Sequence, residues 1–229
     1  MRPTTVLVHS PFLGPASLRP LADALAAHGH PTVLLDLRPS VVASPVHQML
    51  VGAFADVLED AAVDGPLVLA GHSGAGPLLP AFADALEEAV AGLVFVDAGL
   101  PTPGRSWRDT VPTALYTALR DRSRDGLLPH WHHWFSPDPL GVIEDPVLRA
   151  EITEEAPEVP LAFLKEARPD VVWTGPAGYI RLSPAYQEDL SAARDLGWPT
   201  ASLDSHHLAP ATDPEPVARA MLRVLADLR

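Results

Sequence analysis

Short apolar runs alternate along the chain with longer stretches in which apolar residues recur at helical spacing. Thr4–His9 (TTVLVH), Thr32–Leu37 (TVLLDL), Leu67–Gly71 (LVLAG), Gly92–Asp97 (GLVFVD), Gly178–Leu182 (GYIRL) and Thr200–Leu203 each have the length and the β-branched content of a strand. Between the first two, Ser17 is placed to cap a helix that buries Leu18, Leu21 and Leu25 before Gly29 stops it. Further helices are predicted around Val46–Asp60, about Ala75–Glu88 and after Ser183-Pro184, with the turn Asp64-Gly65-Pro66 leading into the third strand. The last helix has Asp213 as its expected N-cap and Pro214 at its first position, with Val217, Met221, Val224 and Leu228 along one face. Buried strands separated by helix-length segments require right-handed crossovers, so the pattern predicts an α/β fold with a parallel sheet covered on both faces.

The rhythm breaks after Asp97. From Leu100 to about Gly178 the chain carries many prolines, four of its five tryptophans and interrupted helical patterns. This texture predicts an inserted helical cap over residues 100–175, the core being formed by residues 1–99 and 176–229.

Composition narrows the chemistry. In 229 residues, 47% of them apolar, there is material for one sizeable core and one domain. Against 16 Lys+Arg stand 29 Asp+Glu, a formal net charge of −13, which gives no basic footprint for nucleic acid or an anionic membrane. No apolar run approaches the ~18 residues of a membrane span, and the amino terminus is too short in apolar residues for a signal peptide, so a cytoplasmic protein is expected. The absence of cysteine removes disulfides, thiolate nucleophiles and cysteine-held metals, leaving oxygen and nitrogen groups as nucleophiles. His130-Trp131-His132-His133-Trp134-Phe135 has no interleaved Asp, Glu or Cys and therefore reads as an aromatic roof over an apolar pocket rather than as a metal site. Trp107, Tyr116 and Phe163 are further candidates for that roof.

The most informative segment is Gly71-His72-Ser73-Gly74-Ala75-Gly76, between the third strand and a helix. A nucleophile on a sharp strand-to-helix turn lifts its hydroxyl above the sheet and crowds its neighbours, so small residues are needed two places either side, as at Gly71 and Ala75.

Three segments in matching order make the chain resemble the α/β-hydrolase fold family over nearly its whole length. Val8-His9-Ser10-Pro11-Phe12-Leu13-Gly14 is similar to the family's His-Gly loop, and the second segment is the Ser73 elbow. The third, Ser205-His206-His207-Leu208-Ala209 ahead of Asp213-Pro214, resembles its catalytic-histidine loop, with the nearest likeness to plant esterases and hydroxynitrile lyases. The sequence begins at what would be that family's third strand, so its N-terminal antiparallel strands are expected to be missing. The resemblance implies a Ser-His-acid triad with no cofactor and no metal. Ser73 is the implied nucleophile and His207, seven residues before Pro214, the implied base, with His206 as the alternative. The usual acid position falls near Ala185 and is empty. Asp97, which resembles the displaced acid of haloalkane dehalogenases, is the leading candidate, with Glu188 and Asp189 as alternatives. An oxyanion hole would use the Gly74 amide and a second donor. Pro11 has no N–H where that donor usually sits, so Phe12 or the Ser10 hydroxyl must supply it. Candidate substrate contacts are Ser10, His72, Trp131 and Trp134. The expected activity is hydrolysis of a small apolar ester, lactone or thioester. The alternatives are a lyase, cyclase or decarboxylase on the same fold, or a small-molecule binder.

Overall fold

In the computed structural model, which describes residues 2–63, 65–86 and 90–228, six strands form one sheet in the order β2-β1-β3-β4-β5-β6. The strands are β1 (Thr4–Val8), β2 (Thr32–Leu34), β3 (Leu67–His72), β4 (Val90–Val96), β5 (Ala177–Arg181) and β6 (Thr200–Ser202), and all five pairings are parallel. The chain adds β2 on one side of β1 and β3 on the other, so the winding reverses between β1 and β3. Ligands of such sheets bind beyond the carboxyl ends of the strands at that point.

Alternation along the strands divides the core. Val6, Val8, Leu69, Phe95 and Tyr179 face one layer, Leu7, Val68, Ala70, Val94 and Ile180 the other. On the second face lie α1 (Arg19–Ala27) and α9 (Pro214–Asp227), where Leu21, Leu25, Val217, Met221 and Val224 are fully buried, each worth about 1.5–3 kcal/mol of transfer free energy. On the first lie α2 (Val46–Asp60) and α3 (Leu79–Asp84), joined by stacking of Phe54 on Phe82 at 4.5 Å. Helix α7 (Gln187–Asp195) covers the β5 side of that face, and the one-turn helix α8 (Ala209–Thr212) leads into α9.

Several boundaries differ from the sequence expectation for local reasons. Ser17 donates its hydroxyl to the Gly14 carbonyl within a 3-10 turn, and α1 begins two residues later with Arg19-Pro20. Strand β2 ends at Leu34, ahead of the Asp36–Arg38 ion pair and Pro39. The elbow continues as a 3-10 helix over Ser73–Leu78, because Pro77 blocks an immediate α-helix, so α3 starts only at Leu79. The expected end of that helix at Glu88, and Asp64 of the expected turn, lie outside the described residues. Asp213 stands at the N-cap of α9 without a side-chain capping bond.

Between β4 and β5 the chain forms α4 (Trp107–Thr110), α5 (Thr113–Arg122), α6 (Pro146–Glu155) and several 3-10 turns. Helix α6 is tied to the loop after β1: Glu155 Oε2 accepts the Ala16 amide at 2.6 Å, and Arg19 pairs with Glu151 and Glu155. A β-carbon at Gly14 would come within 2.5 Å of Glu155 Cβ, so this contact needs glycine there. Among the described residues no helix is long and apolar enough to cross a membrane.

Candidate active site

Ser73 follows β3 with φ +55, a conformation disfavoured for any residue with a β-carbon. The surroundings impose it. A β-carbon at Gly71 would approach Leu79 to 2.9 Å and the Ala75 carbonyl carbon to 3.2 Å, and one at Gly76 would meet Ala98 Cβ at 2.5 Å. The turn is therefore wedged between α3 and the end of β4, and the Ser73 hydroxyl projects from the carboxyl edge of the sheet.

Asp97 leaves the end of β4 and also has a positive φ, +43. Its carboxylate is fully buried and completely engaged. Oδ1 accepts the amides of Leu182 and Ser183 at 2.7 and 2.8 Å, and Oδ2 accepts the Ser183 hydroxyl at 2.7 Å and His207 Nδ1 at 2.8 Å. Burial alone would raise this carboxyl, but the His207 hydrogen bond and charge, together with the Ser183 donors, outweigh it and hold the group below the usual carboxylate range. With Asp97 ionised, His207 Nδ1 carries the donated proton. Nε2 is then free to accept from Ser73 Oγ, 2.9 Å away.

His207 is held on three sides. Its ring stacks on Tyr186 (centroids 5.5 Å, interplanar angle 13°), lies 5.7 Å from Trp131, and is backed by His72 at 4.6 Å. The backing histidine, His72, donates Nε2–H to the His207 carbonyl at 2.9 Å and so fixes the loop that carries His207. Burial, then the neighbouring His207, pushes His72 down to about 3, leaving it neutral. His9 acts similarly on the opposite loop: Nδ1–H donates to the Ser10 carbonyl at 2.9 Å while Nε2 accepts the Leu37 amide at 3.0 Å, the neutral state that burial favours.

A cavity of about 650 Å³ opens beside Ser73 and Gly74. Phe12, Trp107, Trp131 and Trp134 line it, with Phe12 packed edge-on against Trp134 at 4.6 Å and Trp107 against Trp134 at 5.7 Å. Tyr186, Asp189, Arg105 and Arg168 supply its polar lining.

The structure thus brings Ser73, His207 and Asp97 together, and it separates the alternatives from them. Asp189 accepts the Leu100 amide at 3.0 Å, Glu188 is exposed, and His206 contacts Thr212 at 3.3 Å. Two expected substrate contacts need correcting. His72 is turned away from the cavity by its bond to the His207 carbonyl, and Ser10 is fully buried, its Oγ accepting the Phe12 amide at 3.3 Å. That bond also engages the amide expected to complete the oxyanion hole. A β-carbon at Gly74 would meet Ser10 Oγ at 3.1 Å and Pro11 Cδ at 3.2 Å, so residues 10–11 pack directly against the glycine whose amide is the first expected donor. Of the wider aromatic set, Trp107 lines the cavity, Phe163 packs behind Phe12 at 5.7 Å, and Tyr116 lies buried away from the lining. Sequence reasoning missed Ser183, Tyr186 and Arg168, since a lone serine, tyrosine or arginine on a loop carries no spacing signal.

No protein-family model matches the chain, and no curated protein matches it in sequence. Solved structures do. An extracellular alpha/beta-hydrolase from a Paenibacillus species, described as sharing structural and functional homology with tobacco salicylic acid binding protein 2, superposes with a TM-score of 0.77 at 20% identity, over 97% of this chain and 98% of that one. A pyrethroid hydrolase from Sphingobium faniae gives 0.69 at 20% identity, over 98% and 97%. Tomato methylketone synthase I gives 0.71 at 15% identity, over 99% of each chain. Identities this low establish the fold alone.

Proposed function

We propose that this chain, which has the α/β-hydrolase fold, is a cofactor-independent serine hydrolase acting on a small, largely apolar ester, lactone or thioester. The observation that carries the reading is the unbroken hydrogen-bond line from Asp97 Oδ2 through the His207 ring to Ser73 Oγ, 2.8 and 2.9 Å, at the carboxyl edge of the sheet. Ser73 Oγ attacks the acyl carbon while His207 Nε2 takes its proton, and the ionised Asp97 stabilises the imidazolium that results. The Gly74 amide receives the developing oxyanion. His207 returns the proton to the leaving oxygen or sulfur. Water then repeats the cycle on the acyl-enzyme and releases the acid. The aromatic lining suits an apolar acyl or alcohol group, and residues 100–175 serve as the lid over it. The hydrolases named among the structural neighbours support this reading.

One observation favours a second reading. With the Phe12 amide on Ser10 Oγ and Pro11 beside Gly74, the oxyanion hole has one clear amide donor, and losing a donor costs acyl transfer about 10²–10³ in rate. A lyase or decarboxylase using Ser73 and His207 only to move protons has no need of the second donor.

A panel of p-nitrophenyl esters of increasing acyl length, run on the wild type and Ser73→Ala, separates the two. Hydrolysis of the short esters with a loss of ~10⁴-fold or more in Ser73→Ala is expected. A folded wild type that turns over none of them contradicts the hydrolase and favours the lyase.

A further inference from the structure

Arg168 is buried in the lining of the same cavity as Ser73, 7% exposed, on the stretch just before β5. Its guanidinium donates from Nη1 to Thr102 Oγ1 at 2.6 Å and from Nη2 to Thr110 Oγ1 at 3.3 Å, both neutral acceptors. Among the described residues the arginine ion pairs all belong to other arginines. The nearest charges are Arg105, whose carbonyl accepts the Arg168 amide at 3.1 Å and whose cation opposes that of Arg168, and Asp109, whose carboxylate is already held by the Ser106 amide and hydroxyl at 2.9 and 2.6 Å. Burial, with Arg105, pushes Arg168 down to about 10, so it remains a cation at neutral pH.

Burying a cation whose opposing carboxylate, Asp109, stays beyond ion-pair distance is costly unless something supplies a counter-charge in contact. Two hydrogen bonds use two of the five guanidinium N–H donors, which leaves the fork able to take a planar anion. Arg105 lines the same cavity and adds a second positive charge, while Asp109 and Asp189, also in the lining, oppose a doubly charged ligand. Phe12, Trp107 and Trp134 share the lining, so whatever joins an anion at Arg168 to an ester at Ser73 passes apolar surface.

We propose that Arg168, assisted by Arg105, is a subsite for a carboxylate at the end of the substrate remote from the scissile bond. The preferred substrate is then a monoanionic half-ester, lactone or thioester of a small acid with a hydrocarbon spacer. Substrate choice in this form rests on the hydrolase reading, whereas binding of the carboxylate does not.

Mono-p-nitrophenyl glutarate and p-nitrophenyl valerate have acyl chains of equal length and differ in one terminal carboxylate. The wild type is expected to favour the glutarate by about tenfold or more in kcat/KM. Arg168→Gln should abolish that ratio, and Arg168→Lys, which keeps the charge but loses the fork, should retain part of it. Titration calorimetry of monomethyl glutarate into Ser73→Ala and into Ser73→Ala/Arg168→Gln reads the subsite without turnover, and a rise in Kd of about tenfold is expected. If no ester is hydrolysed while this binding still depends on Arg168, the hydrolase reading fails and the subsite stands. A wild type that prefers valerate, a ratio that survives Arg168→Gln, or carboxylate binding that is absent or indifferent to Arg168 overturns the subsite.

Discussion

At the carboxyl edge of the sheet, Asp97 accepts four hydrogen bonds, His207 is gripped by Tyr186, Trp131 and His72, and both Ser73 and Asp97 are held at positive φ by packing that admits no larger neighbours. On the segment between β4 and β5, by contrast, short helices and 3-10 turns carry aromatic rings, and a buried guanidinium there is matched only by two threonine hydroxyls. The first region is over-determined, and its strain is tolerated because several strands fix it at once. The second is built of short helices and turns and faces the cavity with aromatic rings and guanidinium groups. Nucleophile and acid belong where the backbone cannot shift, and substrate choice can be written on a covering segment that varies without disturbing them.

The largest effect that would sharpen this contrast is expected from Asp97→Asn. The new amide can still accept from Leu182 and Ser183, but its NH₂ faces His207 Nδ1 and forces the wrong tautomer. Esterase kcat should fall by about 10²–10⁴-fold, and a value within threefold of wild type in the same assay would remove Asp97 from the account. Next comes packing. Gly76→Ala places a methyl 2.5 Å from Ala98 Cβ and should cost about 1–3 kcal/mol in urea unfolding. Gly141→Ala, with nothing within 4 Å, should stay within about 0.5 kcal/mol. Equal costs at both positions would erase the difference between the regions.

The smallest expected effect concerns the second carboxylate of the neighbourhood. Burial raises Asp189 above its usual range, so the folded chain binds its proton more tightly than the unfolded chain does. Its contribution is most favourable below about pH 4 and is lost as the pH rises through the raised value. Asp97, held low, has the opposite sign: its stabilisation is complete above about pH 4 and is lost as the pH falls through its folded value. Asp189→Asn keeps an acceptor for the Leu100 amide. It should change esterase activity less than about threefold and leave stability at pH 7 equal or higher, with any gain fading near pH 4 in pH-dependent thermal unfolding. A loss of activity as large as that of Asp97→Asn would reverse the assignment of the two carboxylates.

Periodicity alone is enough to read the six parallel strands and the helices on both faces, since strands buried on both sides leave apolar runs within Leu67–Gly71 and Gly92–Asp97, where the observed strands span Leu67–His72 and Val90–Val96. Helix starts were less legible: Ser17 and Pro77 act through turns that a periodic pattern does not encode. Around the site, the Gly71–Gly76 spacing pointed to Ser73 because the elbow is local in sequence. The choice among Asp97, Glu188 and Asp189 was not local, because it depends on the amides of Leu182 and Ser183 closing on a carboxylate from another strand. Motif position points His72 and Ser10 at the substrate, yet each turns inward to hold a loop. Arg168 was invisible for the same reason, its threonine partners lying about 60 residues away in the chain.

The central claim is that Ser73 is a nucleophile activated through His207 by Asp97. Intact-mass measurement after brief exposure to a fluorophosphonate tests it most directly. The account predicts one adduct on the wild type, located at Ser73, formed much more slowly on Asp97→Asn and not at all on Ser73→Ala. A wild type that stays unlabelled, or an adduct of equal yield on Ser73→Ala, would contradict it.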